Sequence, residues 1–315
     1  MNYLDITRLP SFVKRHFGPH DKKRLVGLER ECDSGYFDIC RFFGDGPLNP
    51  AEVHISYLKD EFVLSDPTIA RFAGEMAERM RYEGRLYPGP PVMKLAGFMK
   101  SASPATMIVQ PTSYERFAGS CLALDAVHPL FERYGGTLRD YYKTNYPGSA
   151  VDKNPLAICL GVCGLMVVSD GDEHRLLVAK RASHLTSLVG TFGPSAAGIV
   201  DFNTDYRSLE ELTVGQMRAE VAEETGLEAG EFDIEPLAYA REIFRGEHPQ
   251  IFCLITTNLR SDEIERRLAC LSGRRREFDE YRFLPWKSDS AVLSELNFEA
   301  LMNYHLLQEW QSFQR

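Results

Sequence analysis

One segment limits what this chain can become: Leu212-Thr213-Val214-Gly215-Gln216-Met217-Arg218-Ala219-Glu220-Val221-Ala222-Glu223-Glu224-Thr225-Gly226-Leu227. Thr213 with Gln216 three residues later has the form of a capping box and predicts a helix starting there. Gly226 is a natural residue to end it. Val214, Met217 and Val221 recur at helical spacing and are expected to face a core. Glu220, Glu223 and Glu224 stand at i, i+3 and i+4, which at about 100° per residue places three carboxylates on one side. Like charges at that spacing cost an isolated helix roughly 0.2–0.5 kcal/mol per pair. A solvated acidic face is one reading of this pattern. The other is a seat for a hard divalent cation such as Mg²⁺, which takes oxygen ligands and leaves room for substrate phosphates.

The rest of the second half alternates between strand and helix. Leu156 to Ser169 and Arg175 to Lys180 read as strands around the turn Asp170-Gly171-Asp172. Gly190 to Asp201 is punctuated by glycine and proline, and the acidic helix follows it. Strands are expected near Ile234 to Ile243, Gln250 to Thr257 and Tyr281 to Trp286, with helices at Ser261 to Leu271 and Asn297 to Gln311. Such alternation implies an α/β/α sandwich around a mixed sheet. The turn-rich stretch Tyr146-Pro147-Gly148-Ser149-Ala150 divides the sequence into an N-terminal α+β extension, 1–150, and a second domain, 151–315. In the extension, Tyr36 to Phe43, Val53 to Leu64 and Val92 to Gln110 carry strand composition. Asp66-Pro67 opens a helix through Ile69, Phe72, Met76 and Met80, and Ser113 to Tyr142 reads as helical with a break at Gly135-Gly136.

Charge narrows the partners. With 36 basic and 45 acidic residues in 315, the net charge is −9, whereas a nucleic-acid binder needs a basic face. Two local basic runs, Lys14 to Arg24 and Arg274 to Arg276, read as solvated surface. The seven cysteines include no Cys-x-x-Cys pair and read as free, buried thiols. Met1 to His20 lacks the apolar core of a signal peptide, and Leu156 to Val168 is too short to span a bilayer. No membrane association is expected, and the cytoplasm is the expected compartment.

Residues Glu220 to Leu227 resemble the end of the Nudix hydrolase signature, Arg-Glu-U-x-Glu-Glu-x-Gly-U, over eight positions without a gap, U being bulky and apolar. Glu211 falls where the signature has its first Glu. Pro194 and Gly198 resemble the loop that precedes the helix, and Leu176 to Arg181 resembles the family's strand ending in a basic residue. Two features depart from the pattern. Ala219 occupies the place of the signature Arg, and Gly198 lies thirteen residues before Glu211 instead of six, with Asp205 where the regular spacing has Gly. A weaker resemblance links Thr112-Ser113-Tyr114, Phe117 and Gly119, with Arg241 and Phe283-Leu284-Pro285, to the UDP-glucose pyrophosphatase type, which also carries an N-terminal extension.

The resemblance implies a Nudix-type sandwich and hydrolysis of the phosphoanhydride bond of a nucleoside-diphosphate derivative. A nucleotide sugar such as UDP-glucose is the first expectation, ADP-ribose or a dinucleotide the alternative, and a nucleotide sensor without turnover the competing class. Glu220, Glu223 and Glu224 would hold Mg²⁺, or Mn²⁺ in its place. Glu224 or Glu280 would be the general base, with Glu220 beside it in the catalytic set. Arg181, Arg241 and the loop at Gly198 would contact substrate, because guanidinium binds phosphate bidentately. His184 and His248 flank these loops and are assigned no role. The first half is expected either to line the pocket or to form a homodimer surface.

Overall fold

A computed structural model of the chain describes residues 37–314 except 101–103, 148–149, 243–244, 272–276, 289–292 and 294. Both basic runs, Lys14 to Arg24 and Arg274 to Arg276, lie outside the described residues.

The architecture is mixed α/β, as the alternation implies. The main sheet runs β1 (Phe37–Arg41), β9 (Phe232–Glu242), β10 (His248–Thr257), β5 (Gly161–Asp170), β6 (Glu173–Arg181) and β11 (Phe278–Pro285). Two short strands, β7 (Phe192–Gly193) and β8 (Ala196–Ile199), pair with β6 and β5. β10 lies parallel to β5, and the other main pairings are antiparallel. Period-two alternation sorts the side chains to two faces. On β10, Ile251, Cys253 and Ile255 join the core under α4 (Leu209–Thr225) and α5 (Ser261–Cys270), while Phe252 and Leu254 pack with α6 (Phe298–Phe313). Helices thus cover both faces. Gly164 leaves room for the Ile255 side chain of β10, which a Cβ there would meet at 2.5 Å, and Met217 of α4 lies just beyond at 3.4 Å.

The first half forms a smaller sheet, β2 (His54–Tyr57), β4 (Thr106–Thr112) and β3 (Val92–Met99), packed with α1 (Pro67–Tyr82), α2 (Tyr114–Phe117) and α3 (Leu138–Asn145). Asp66 caps α1 through Thr68 and Ile69, where the sequence places its start. The helix expected from Ser113 to Tyr142 breaks into several pieces: α2 passes into a π turn at Ala118–Leu122, and a 3₁₀ turn covers Pro129–Tyr134. Gly119 belongs there because any side chain would strike the Ala73 carbonyl of α1. The two halves share a core: Phe72, Met93 and Phe117 join the same cluster as Met217 and Val221. They are also stitched by backbone bonds, Met93 N–H to the Val200 carbonyl at 2.8 Å and Leu95 N–H to Ile158 at 3.0 Å. β1, from the first half, extends the sheet of the second.

Cys270 is exposed, against the expectation of buried thiols, whereas the other described cysteines are buried and unbridged. Among the described residues no helix is long and apolar enough to cross a membrane.

Candidate active site

The acidic helix starts earlier than its apparent capping box. Ser208 is the N-cap and accepts the Glu211 N–H at 3.2 Å, while the Glu211 carboxylate accepts the Arg207 N–H. Thr213 sits inside the helix, its hydroxyl donating to the Leu209 carbonyl. Gly226 ends the helix at φ 72, as the sequence predicts. The buried stripe runs through Leu209, Leu212, Met217 and Val221 to Glu224, and Val214 is only half-buried.

That stripe separates the three glutamates. Glu224 points inward, 6% exposed, and accepts the Ala197 N–H of β8 at 3.0 Å. Glu220, one turn earlier and half-buried, accepts from the Gln216 amide at 2.8 Å, and the same Gln216 side chain accepts the Asp201 N–H at 3.2 Å. Glu223 is exposed at the rim. Gly198, paired with Val162 on β5, has no room for a side chain, because a Cβ would collide with the Glu220 carboxylate. The strand that carries Gly198 therefore lies directly against the Glu220 carboxylate.

A further acid completes the group. Glu277 precedes β11, its carbonyl accepting the Ala182 N–H at 2.8 Å beside the end of β6. Burial raises Glu277 above the usual carboxylate range, with Arg181 opposing the rise and Glu223 adding to it. Burial pushes Glu220 up to about 7, with Glu277, Glu223 and Asp201 adding repulsion. Glu224 is driven well above its usual value by burial, then by Glu277 and Glu220. Arg181, at the end of β6, supplies the positive charge felt by both Glu224 and Glu277. Its Nε donates to the Ser187 carbonyl at 3.2 Å.

Two expected site residues lie elsewhere. Glu280 is partly exposed and paired with Arg282 at 2.7 Å and Lys180 at 3.5 Å, outside the acid group. β11 begins at Phe278, three residues earlier than the sequence suggests, so Glu277 stands just before it and Glu280 lies within it. Arg241 is engaged with Glu247 at 3.1 Å, and Glu247 also accepts from Tyr142. His248 is buried and held neutral by burial and by Arg245 nearby.

Among the described residues, no three His, Cys, Asp or Glu side chains are placed to hold a metal ion as they stand. The donor set nonetheless suits a hard cation. It is all carboxylate oxygen, two of the acids are desolvated and mutually repelling, and the positive charge acting on Glu224 comes from Arg181.

This electrostatic strain has a pH signature. The folded value of Glu220, about 7, lies above its ordinary 4.5, so its proton stabilises the fold fully below the ordinary value. That contribution is lost as pH rises through about 7. In chelator, urea unfolding is expected to show stability falling between pH 5 and 8, with Glu220 contributing up to about 3 kcal/mol. Glu220→Gln should flatten the slope. An equally steep decline in the variant would contradict the assignment.

No family model matches the chain, and no curated protein does. Solved structures similar to it include Shewanella oneidensis NrtR at 17% identity and TM-score 0.33, covering 49% of this chain and 64% of that one, less than two thirds of its length. The NUDIX domain of the same NrtR, solved with ADP ribose, matches at 19% identity and TM-score 0.33 over 54% of this chain and 96% of that one. A Caenorhabditis elegans Ap4A hydrolase matches at 15% identity and TM-score 0.33 over 50% and 99%. At these TM-scores and identities the likeness is remote.

Proposed function

We propose that the chain is a divalent-ion-dependent hydrolase of the phosphoanhydride bond in a nucleoside-diphosphate derivative. The observation that carries this reading is the grouping of the buried Glu224 with the half-buried Glu220 and Glu277 beside Arg181 at one end of the main sheet. Perturbed acids of this kind gather where chemistry is done, and two of them, Glu220 and Glu224, fall on the motif that resembles the Nudix signature.

Glu220, Glu223 and Glu224 would hold Mg²⁺ or Mn²⁺. When bound, such an ion neutralises charge on the diphosphate and lowers the pKa of a coordinated water. Arg181 orients a phosphate oxygen by bidentate donation. Gly198 keeps the wall beside Glu220 free of side chain, and the Ala197 N–H fixes the buried Glu224 carboxylate. Glu277 takes the proton of the attacking water, its raised basicity suiting that role. As water adds to phosphorus the bridging P–O bond breaks, and two phosphorylated products leave.

A nucleotide sugar such as UDP-glucose remains the first substrate proposed, with ADP-ribose and dinucleotides as alternatives. Incubation with UDP-glucose, ADP-ribose and diadenosine tetraphosphate plus Mg²⁺, followed by chromatography, tests the reading. Wild type should release nucleoside monophosphate from one of them, and Glu224→Gln should cut the rate by about 10²-fold or more. Intact substrates throughout would sink it. Ala219, in place of the signature Arg, favours a second reading in which nucleotide binds without turnover. Nucleotide-induced thermal stabilisation without product would support that one.

A further inference from the structure

Residues 199–209, which lengthen the loop ahead of α4, run along the two outer edges of the smaller sheet. At the β3 edge the Met93 N–H donates to the Val200 carbonyl and the Phe202 N–H to the Pro91 carbonyl, both at 2.8 Å, which sets Asp201 opposite Val92. At the β2 edge the Ile55 N–H donates to the Arg207 carbonyl at 3.1 Å and the Leu209 N–H to the Val53 carbonyl at 2.9 Å, with His54 opposite Ser208. Between these ends the Tyr57 hydroxyl donates to the Tyr206 carbonyl at 2.8 Å, and the Tyr57 ring meets Phe202 edge-on at 6.0 Å. The Tyr206 ring also lies on α4, where a Cβ on Gly215 would meet it at 2.7 Å. The first half of the chain thus clamps the loop that leads into the acidic helix.

The clamp ends beside Glu220. Gln216 is buried, 8% exposed; its Oε1 accepts the Asp201 N–H at 3.2 Å and its Nε2 donates to Glu220 Oε1 at 2.8 Å. These two bonds fix which way the amide faces. Turned over, it would set its NH₂ against an N–H and its oxygen against a carboxylate. Glu220 also rests against Gly198, where no side chain fits. A carboxylate braced at two points has little rotamer freedom left for an arriving ion to remove.

Resting on the reading of this site as a divalent-ion centre for diphosphate cleavage, we infer that Gln216 is a positioning residue. It sets the Glu220 carboxylate for the ion, and it does so from the Asp201 main chain, which the first half holds in register. The first half thereby serves the ion site at a distance.

The test uses the full chain. Mn²⁺ affinity is read by electron paramagnetic resonance, and kcat and KM are read separately with Mg²⁺ on UDP-glucose, ADP-ribose and diadenosine tetraphosphate. Gln216→Met keeps the side-chain volume and removes both hydrogen bonds. It should weaken Mn²⁺ affinity about tenfold and lower kcat by a similar factor, with KM for the cleaved probe within about twofold. Added to Glu220→Gln, it should cost less than about twofold more, because Gln216 acts through Glu220. Tyr57→Phe removes one bond of the clamp and should weaken Mn²⁺ affinity about two- to threefold. Circular dichroism and thermal melting establish that each variant is folded; Gln216→Asn, too short to span both partners, serves the same comparison should Gln216→Met not fold. Suppose wild type binds Mn²⁺ and cleaves a probe. If Gln216→Met then keeps wild-type affinity and kcat, or if its loss and that of Glu220→Gln simply multiply, Gln216 is only a core residue and the positioning role fails while the site stands. Unchanged affinity in Tyr57→Phe would overturn the part given to the first half. If wild type neither binds Mn²⁺ nor cleaves any probe, the positioning role falls together with the reading of the site.

Discussion

Replacing Glu277 by Gln is expected to lower kcat by about 10²–10³-fold, whereas Glu280→Gln should leave it within about twofold. The two residues are three apart and chemically identical, so environment alone decides. Glu277 is half-buried, its pKa raised by desolvation and held back by Arg181, and it acts on Glu220 and Glu224. Glu280 is partly exposed and paired with Arg282 and Lys180, and the hydrogen bond and charge of Arg282, with Lys180 beside it, hold its pKa below the usual carboxylate value. A base that must accept a proton from water near neutral pH works best with the raised affinity of the first. Stopped or steady-state assays of both variants on the cleaved probe decide the matter. Equal activity in Glu277→Gln and wild type would remove Glu277 from the chemistry.

Gly198→Ala is the second large effect. Gly198 does not adopt a left-handed backbone, so the cost comes from contact. The new methyl group would occupy the position of the Glu220 carboxylate, which must then leave its place beside Gln216. Overpacking of this kind costs about 1–3 kcal/mol, measurable as a lower urea midpoint. Displacement of a ligating acid by about an ångström is expected to cost activity roughly 10²-fold. Gly190→Ala makes a useful contrast. Nothing lies within 4 Å of a Cβ there, and only its φ of 72 resists substitution, so it should lose some stability and little activity. Full activity in Gly198→Ala would show that Glu220 can do its work from elsewhere.

Much of this architecture was legible from residue pattern. Asp66-Pro67 announces α1 because a capping carboxylate and a preset φ act within one turn. Gly226 announces the end of α4 because only glycine takes its conformation cheaply. The strands of the main sheet show as apolar runs since both faces are covered. What pattern did not give depends on tertiary context. Thr213 and Gln216 imitate a cap, but Ser208 wins because its backbone neighbour Leu209 is tied to Val53 of the first half. Spacing put the three glutamates together, yet it could not tell that Glu224 would be buried under β8 while Glu223 stayed in solvent. Glu277 and Asp201 were missed since each reaches the site through pairing with a distant strand, Glu277 along β6 and Asp201 opposite Val92. A single buried Phe278, read as the first residue of β11, is the signal that would have moved attention from Glu280 to Glu277.

Ion binding probes the heart of this account without any choice of substrate. Free Mn²⁺ gives an electron paramagnetic resonance signal that fades when the ion is bound. Adding wild-type protein should quench that signal stoichiometrically, Mg²⁺ should restore it by competition, and Glu220→Gln or Glu224→Gln should weaken binding by more than about tenfold. An undiminished signal with the wild-type chain, or quenching that neither substitution alters, would contradict the assignment of these acids to a divalent ion.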